Sequence, residues 1–407
     1  MEQITAAVTA FNDKYWYVVM ALLFVAGVWF TIRTVGVQVR MLPEMLRSVT
    51  AKSQTGFEND GVSPFRAFTI SAASRVGTGN VAGVAIAIVI GGPGAVFWMW
   101  LLALLGGATA FVESTLAQLY KQKGADGYFG GPAYYIRDGL GAKWLAAVFA
   151  VAITVTYGFV FNAVQSNSIS ESVQANWGAS STTAWIVGLG LAVLTGLVIF
   201  GGVRRLSAVT NVLVPAMATF YIFLALIVMV VNITEIPGMI ALIVGHAFGL
   251  REVAGAAVGM TMVMQGVRRG MFSNEAGMGS APNAAATAAV SHPAKQGFVQ
   301  AFAVYIDTLF VCSATAFIII STDMYKVFEG QSEDGAVIYE GSLADGIPVG
   351  PGFVQEGLNS FSAGLGPSFI ALAIMFFAFT TVLAYYYMAE TNFTYLNRWV
   401  KNESARK

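Results

Sequence analysis

Long apolar stretches are the feature that most constrains what this chain can fold into. A helix that crosses a bilayer needs about 20 mostly apolar residues. Only 11% of the 407 residues are charged, against about 25% in a typical soluble domain, which excludes a soluble globular protein and a disordered chain. We therefore predict an all-α polytopic membrane protein with nine spans, at residues 15–35, 66–92, 94–119, 145–172, 182–201, 207–232, 252–290, 297–320 and 367–389.

The counts of charged residues, cysteine and histidine exclude several partners. The chain has 22 Lys and Arg against 22 Asp and Glu, so no nucleic-acid partner is expected. Cys312 is the single cysteine and there are two histidines, so the sequence predicts neither an intrachain disulfide nor a His-rich metal site. The partner that the composition does predict is the lipid bilayer.

The distribution of Lys and Arg predicts the orientation, because cytoplasmic loops of membrane proteins are enriched in both. With the N-terminus outside, sixteen of the 22 Lys and Arg residues fall on one side, whereas the other side receives only Lys14 and Lys326. We therefore expect the N-terminus outside and the C-terminus in the cytoplasm. The long acidic loop 321–366 is then extracellular, as a solvated cap over an external vestibule.

Two of the predicted spans are interrupted by glycine and polar residues, at 71–83 and 270–283. The stretch 252–290 would form roughly 58 Å of helix against a hydrocarbon core of about 30 Å, so it must break, and 270–279 is the expected place. Unwound helix ends inside a membrane expose amides that can hold a carboxylate and carbonyls that can hold a small cation. One glycine pair such as Gly79–Gly83 more often serves close helix packing, but two such breaks together favour a substrate site.

Two acidic residues lie within spans, and the sequence leaves their role open. Glu113 and Asp307 are functional candidates because acids are rare and costly inside membranes. Each could equally form a buried structural pair with Arg75, Arg268 or Arg269.

Two adjacent hydroxyls, Thr380 and Thr381, interrupt an apolar run in the last span. Threonine in such a helix commonly bonds back to a carbonyl of its own helix. Two hard oxygens beside freed carbonyls would also suit Na⁺, and the residues alone do not decide between these alternatives.

Four sequence blocks resemble a known family, the alanine/glycine:cation symporters (the sodium:alanine symporter family). The blocks are 77–85, 91–100, 130–136 and 272–282. The resemblance extends from about residue 66 to residue 394.

The resemblance implies a fold of the leucine-transporter class, in which two inverted five-helix repeats each begin with a broken helix. The chain would then be one transporter domain, 1–407, with a leading helix at 15–35. The first repeat would occupy 66–232, and the second, at 252–389, would be incomplete because its last two core helices are absent.

The resemblance also implies a set of binding residues. The backbone amides of Thr78 and Gly79 would hold the substrate carboxylate, Gln165 would bond the amino group or carboxylate, and further residues would line the pocket. The substrate set is Thr78, Gly79, Asn80, Gln165, Phe272, Ser273, Ala276 and Gly277. The carbonyls of Ala73 and Val76 with the hydroxyls of Thr380 and Thr381 would form a Na⁺ site.

The implied function is a secondary active symporter in the cell (inner) membrane. It would couple Na⁺ entry, with H⁺ as the alternative ion, to uptake of a small neutral amino acid, alanine or glycine, by alternating access. The alternative is a transport-deficient amino-acid-binding subunit or receptor. An intramembrane enzyme is disfavoured, because no second acid or Ser/His pair accompanies Asp307 or Glu113.

Overall fold

The computed structural model describes a helical chain. The described residues are 2–51, 61–124, 127–177, 181–249, 258–329, 335–344, 346–347, 349–360 and 364–397. Their helices are α1 (Glu2–Arg33), α2 (Val37–Arg40), α3 (Leu42–Val49), α4 (Pro64–Arg75), α5 (Ala82–Gly91), α6 (Ala95–Leu119), α7 (Pro132–Gly139), α8 (Lys143–Val155), α9 (Phe161–Trp177), α10 (Ser181–Ile199), α11 (Gly202–Val231), α12 (Ile236–Ala247), α13 (Val258–Asn274), α14 (Ala281–Ala286), α15 (Pro293–Tyr305), α16 (Ser313–Ser321), α17 (Pro351–Asn359) and α18 (Leu365–Asn397).

Short elements connect these helices. A 3₁₀ turn, Thr78–Asn80, lies between α4 and α5, and π-helical segments join α8 to α9 (Thr156–Val160) and α15 to α16 (Ile306–Cys312). Two antiparallel hairpins pair β1 (Gln122–Gly124) with β2 (Gly127–Phe129) and β3 (Lys326–Phe328) with β4 (Val337–Glu340).

Six described helical stretches are long and apolar enough to cross a membrane, and one bent pair makes a seventh. The chain is therefore a polytopic all-α membrane protein, as predicted, while the count of nine spans stays a prediction. Within 182–201 the described apolar helix is Trp185–Ile199, and residues 252–257 of the stretch 252–290 lie outside the described residues. The six stretches are Ala7–Arg33, Ala95–Leu119, Lys143–Ser170, Gly202–Val231, Pro293–Ser321 and Gly366–Asn397.

The first predicted interruption is a bend of 61° between Pro64–Arg75 and Thr78–Gly91. Pro64 and the capping Ser63, whose hydroxyl accepts from the Arg66 amide at 3.3 Å, begin α4, since both residue types suit a helix start. The helix ends before Gly77, which is extended (φ −136°). A Cβ on Gly77 would lie 2.8 Å from Thr381 Oγ1, so only glycine lets α18 approach this closely.

The second interruption is shorter than predicted and begins later. We expected it at 270–279, but α13 continues to Asn274 and the non-helical residues are 275–280. Gly270 instead allows close packing, because a Cβ there would lie 3.4 Å from Met99 Cα. The chain turns at Glu275, Gly277 and Gly279, with φ of 54°, 85° and 80°; positive φ costs a non-glycine residue about 1–2 kcal/mol.

Helix packing brings the two interruptions together. The helices α6 and α15 pack closely because α6 offers glycine at the contact: a Cβ on Gly107 would lie 3.1 Å from the Tyr305 hydroxyl. The long α18 packs against α4, α8, α9 and α11. This places Thr381, near its middle, beside the end of α4.

The described part of the loop 321–366 is packed on the helices rather than fully solvated. Val327 of β3 and Phe353 of α17 are both 1% exposed. They belong to the same apolar cluster as Val84 and Ile88 of α5. The loop therefore contacts the second half of the first broken helix.

Candidate functional site

The first break is held by two polar side chains. The Asn80 side-chain oxygen accepts from the Gly77 amide at 2.8 Å, and Gln165 Oε1 of α9 accepts from the Thr78 amide at 3.3 Å. Both side chains are at most 1% exposed. Of the two amides that the family resemblance assigns to a substrate carboxylate, that of Thr78 meets a neutral oxygen, which a carboxylate can replace.

Phe272 lies directly over the other side of the 3₁₀ turn. A Cβ on Gly79 would lie 3.1 Å from a Phe272 ring carbon, and the Phe272 ring centroid is 5.2 Å from that of Phe161. Phe161 in turn contacts the rings of Tyr157 and Tyr385. An aromatic wall therefore limits the space beside Gly79.

Two other predicted substrate residues pack against neighbouring helices. Ala276 is 4% exposed and packs with α6 and α15, where a Cβ on Gly106 would lie 2.8 Å from its own Cβ. A Cβ on Gly277 would lie 3.2 Å from Leu23 of α1. The structure brings together Thr78, Gly79, Asn80, Gln165, Phe272 and Ser273, and places Ala276 and Gly277 against neighbouring helices.

The predicted cation residues converge at the end of α4, with one exception. Thr381 Oγ1 lies within hydrogen-bond distance of the carbonyls of Ala73 at 2.8 Å, Val76 at 3.3 Å and Phe377 at 2.8 Å. Three carbonyls and one hydroxyl within a few ångströms are hard oxygen ligands of the kind that alkali ions prefer. Thr380 Oγ1 instead donates to its own helix, at 3.0 Å from the Phe377 carbonyl.

Asp307 links both breaks and makes no hydrogen bond with an arginine among the described residues. Asn80 Nδ2 donates to its Oδ1 at 2.6 Å, while the hydroxyls of Ser273 and Thr308 donate to its Oδ2 at 2.8 and 2.9 Å. Asp307 is 1% exposed and lies in the π-helical segment between α15 and α16, a local geometry frequent at functional sites.

The arginines that the sequence offered as partners have other contacts. Arg268 Nη2 donates to Asp13 of α1 at 2.8 Å. Arg75, 1% exposed, donates to the Gln300 carbonyl at 3.3 Å, and its Nε and Nη2 have no hydrogen-bond partner among the described residues.

Glu275 is a buried residue whose importance the sequence reasoning missed. Its side chain is 0% exposed and accepts hydrogen bonds from Ser74 at 2.7 Å, Ser280 at 2.8 Å and Tyr157 at 3.4 Å. Ser74 belongs to α4 and Ser280 precedes α14, so this one carboxylate joins the two broken helices. An acid inside a predicted break was the available signal.

The last turn of α14 is tied to α6. Gln118 Nε2 donates to the carbonyls of Ala285 and Ala288, and Lys121 Nζ donates to the Ala288 carbonyl at 2.7 Å. Burial lowers the pKa of Lys121 to about 8, so the ammonium keeps its charge at neutral pH.

The arrangement suits reversible binding rather than covalent chemistry. Among the described residues no group of three or more His, Cys, Asp or Glu could hold a metal ion. What the breaks provide is amide donors, carbonyl and hydroxyl oxygens and buried carboxylates, which together can hold a zwitterion and monovalent cations.

Comparison with known proteins gives a consistent result. Residues 1–405 match the model of a family described as the sodium:alanine symporter family. The chain is 50% identical over 96% of its length to a putative sodium/proton-dependent alanine carrier protein, YrbD, of Bacillus subtilis, covering 78% of that protein. It is 47% identical over 95% of its length to a probable sodium/glutamine symporter, GlnT, of the same species, covering 76% of it. It is 36% identical over 93% of its length to the sodium/alanine symporter AgcS of Methanococcus maripaludis, covering 80% of it.

Proposed function

Because the chain belongs to the sodium:alanine symporter family, we propose that the residues between its two helix breaks bind a small neutral amino acid together with Na⁺. Members of this family are transporters and not enzymes. The protein is a secondary active symporter that couples Na⁺ entry to uptake of a small neutral amino acid, with H⁺ as a further coupling ion in relatives named sodium/proton-dependent carriers.

The amino acid binds at the 3₁₀ turn. Its carboxylate takes the Thr78 amide, displacing the Gln165 oxygen that accepts from that amide at 3.3 Å, and Gln165 then bonds the substrate. The Phe272 ring against Gly79 limits the space for the substrate side chain, which favours alanine or glycine.

The Na⁺ ion binds where Thr381 now donates to Ala73 and Val76. The hydroxyl proton turns to the Phe377 carbonyl, 2.8 Å away, so that the Thr381 oxygen and the carbonyls of Ala73 and Val76 all face the ion. The carbonyls that the Thr380 hydroxyl contacts belong to its own helix, Phe376 at 3.2 Å and Phe377 at 3.0 Å, so we assign Thr380 the smaller role.

The observation that carries this proposal is the position of both sets of ligands on one break. Ala73 and Val76 precede Gly77, and Thr78 follows it, so cation and carboxylate order the same few residues from opposite sides. Each ligand then improves binding of the other, which is the requirement for coupled transport.

The membrane arrangement is part of the same proposal. Nine spans would cross a cell (inner) membrane, with the N-terminus outside and the C-terminus in the cytoplasm. The repeats 66–232 and 252–389 would each begin with one of the breaks, in a fold of the leucine-transporter class, and alternating access would move one repeat against the other.

The substrate side is tested with Gln165→Leu. Leucine cannot make the hydrogen bond that Gln165 forms with the bound substrate, and a hydrogen bond to a charged group is worth about 1.5–3 kcal/mol. We expect the dissociation constant for labelled alanine, measured on purified protein in the presence of Na⁺, to rise about tenfold.

The matched control is Val164→Ala on the same helix, because Val164 is 42% exposed and is not one of the substrate residues. Its alanine affinity should equal that of the unmodified protein. Equal affinity in Gln165→Leu would remove Gln165 from the substrate site, and alanine binding without accumulation in vesicles would favour a receptor.

A further inference from the structure

An apolar cavity lies between α11 and α18, beside the residues assigned to the substrate and Na⁺. Its volume is about 240 Å³, whereas an apolar cavity of about 150 Å³ already holds a benzene molecule. The described residues that line it belong to 213–221 and 369–377, and their side chains are Leu, Ala, Met, Phe and one Tyr. Because this lining carries no charged or amide group, the cavity suits hydrocarbon and not water or a lipid headgroup.

The cavity opens toward the lipid. Phe220, Leu372 and Phe376 at its rim are 60%, 45% and 36% exposed, whereas Tyr221 and Phe377 are buried. Both α11 and α18 belong to stretches that are long and apolar enough to cross a membrane. An apolar gap that nothing fills forfeits dispersion contacts, and acyl chains are the apolar groups that surround this rim in a bilayer.

One buried residue of the cavity is joined to the proposed Na⁺ site. Phe377 lines the cavity, and its carbonyl oxygen lies 2.8 Å from the Thr381 hydroxyl oxygen. Met217, another lining residue, has its sulfur 3.8 Å from Thr380 Oγ1. A molecule in the cavity therefore packs against the part of α18 that carries the cation ligand.

A second buried residue of the cavity is joined to the 3₁₀ turn. The Tyr221 hydroxyl oxygen lies 2.6 Å from Thr315 Oγ1 of α16, which donates to the Asn80 carbonyl at 2.7 Å. The Tyr221 ring also packs edge-on against that of Phe377, with 5.5 Å between the ring centroids. The buried wall of the cavity thus contacts both the substrate side and the cation side of the first break.

We propose that a phospholipid acyl chain occupies this cavity and strengthens Na⁺ binding at Thr381. A ligand shifts an equilibrium only by binding one arrangement of the protein better than another. An acyl chain packed on Phe377 and Tyr221 stabilises the arrangement in which Thr381 faces Ala73 and Val76, so lipid and Na⁺ each favour binding of the other. Occupancy of the cavity does not depend on the proposed function, whereas the effect on Na⁺ rests on it.

Occupancy is tested by photo-crosslinking of the full chain in vesicles of phosphatidylethanolamine and phosphatidylglycerol. The probe is a phosphatidylcholine that carries a diazirine on its acyl chain, and mass spectrometry of the digested protein locates the adducts. We expect adducts on the buried residues Tyr221 and Phe377, because only a chain inside the cavity reaches them. Adducts confined to the exposed rim, or absent from both helices because a helix of a second copy covers the cavity, would overturn the inference.

Ala373→Phe fills the cavity from α18 and should abolish the adducts on Tyr221 and Phe377. The matched control is Met375→Phe on the same helix, because Met375 is 36% exposed and does not line the cavity; its adducts should equal those of the unmodified protein. Ala216→Phe fills the cavity from α11 and takes the place of Ala373→Phe if that variant does not give monodisperse protein. Equal adduct yields in the filled and control variants would overturn the inference.

The effect on Na⁺ is measured as the half-saturating Na⁺ concentration for binding of labelled alanine to purified protein in detergent. Added dioleoylphosphatidylglycerol should lower this concentration at least about threefold, whereas the short-chain dihexanoyl analogue, which has the same headgroup, should not. Ala373→Phe should remove the response and Met375→Phe should keep it.

The outcomes separate this inference from the proposed function. No response to the long-chain lipid, an equal response to both lipids, or an equal response in both variants would contradict the effect on Na⁺ binding. Alanine binding that is independent of Na⁺ under every condition would instead contradict the proposed function, and the adducts on Tyr221 and Phe377 would still decide whether the cavity holds an acyl chain.

Discussion

Thr381→Val is expected to raise the Na⁺ concentration for half-maximal alanine uptake by more than about tenfold, since a contact to a charged group is worth about 1.5–3 kcal/mol. Valine has nearly the same shape but lacks the oxygen that lies 2.8 Å from the Ala73 carbonyl. Na⁺ titration of initial uptake rates measures the effect. Alanine affinity at saturating Na⁺ should change little, because Thr381 belongs to the cation side of the break.

Thr380→Val provides the control for this prediction. The two threonines are adjacent in α18, but only the Thr381 hydroxyl also contacts the Ala73 and Val76 carbonyls among the described residues, whereas the carbonyls that Thr380 contacts are in its own helix. We expect less than a threefold change in half-saturating Na⁺. Equal effects of the two substitutions would place both hydroxyls on the ion, and no effect of Thr381→Val would remove it from the site.

Gly77→Ala is expected to reduce uptake by more than about tenfold, because overpacking a close contact costs about 1–3 kcal/mol. The added Cβ would lie 2.8 Å from Thr381 Oγ1 and 3.4 Å from both terminal atoms of Gln165. It therefore disturbs the cation and the substrate contacts together. Both Na⁺ dependence and alanine affinity should weaken in uptake and binding assays.

Gly83→Ala tests whether alanine at another glycine of this segment reduces uptake as much as Gly77→Ala does. A Cβ on Gly83 would have one neighbour within 4 Å, Arg269 Cδ at 3.9 Å, and the residue lies inside α5, where alanine is a good helix former. Uptake should stay within twofold of the unmodified protein. A comparable loss in Gly83→Ala would mean that helix packing, and not the break, is the sensitive feature.

The sequence predicts the existence of both breaks better than their limits. The glycines after Arg75 and the excess length of 252–290 are the local features on which that prediction rests. The start of the second break was wrong, because Gly270 serves helix contact with Met99. Local composition does not distinguish a glycine that unwinds a helix from one that lets two helices approach.

The site depends on contacts between distant residues, which single-sequence reasoning does not supply. Ser74 and Glu275 are 201 positions apart, and Thr381 and Ala73 are 308 apart. The Thr381 assignment came from family resemblance, and the Glu275 network was missed. Ala276 was assigned to the pocket from its motif, but the turn at Glu275 directs it toward α6.

Uptake of labelled alanine into proteoliposomes, with and without an inward Na⁺ gradient, tests the central claim most directly. We predict accumulation above the external concentration with the Na⁺ gradient, and collapse to simple equilibration when K⁺ replaces Na⁺ or when the gradient is dissipated. Accumulation of the same size under all three conditions would contradict Na⁺-coupled symport through these two breaks.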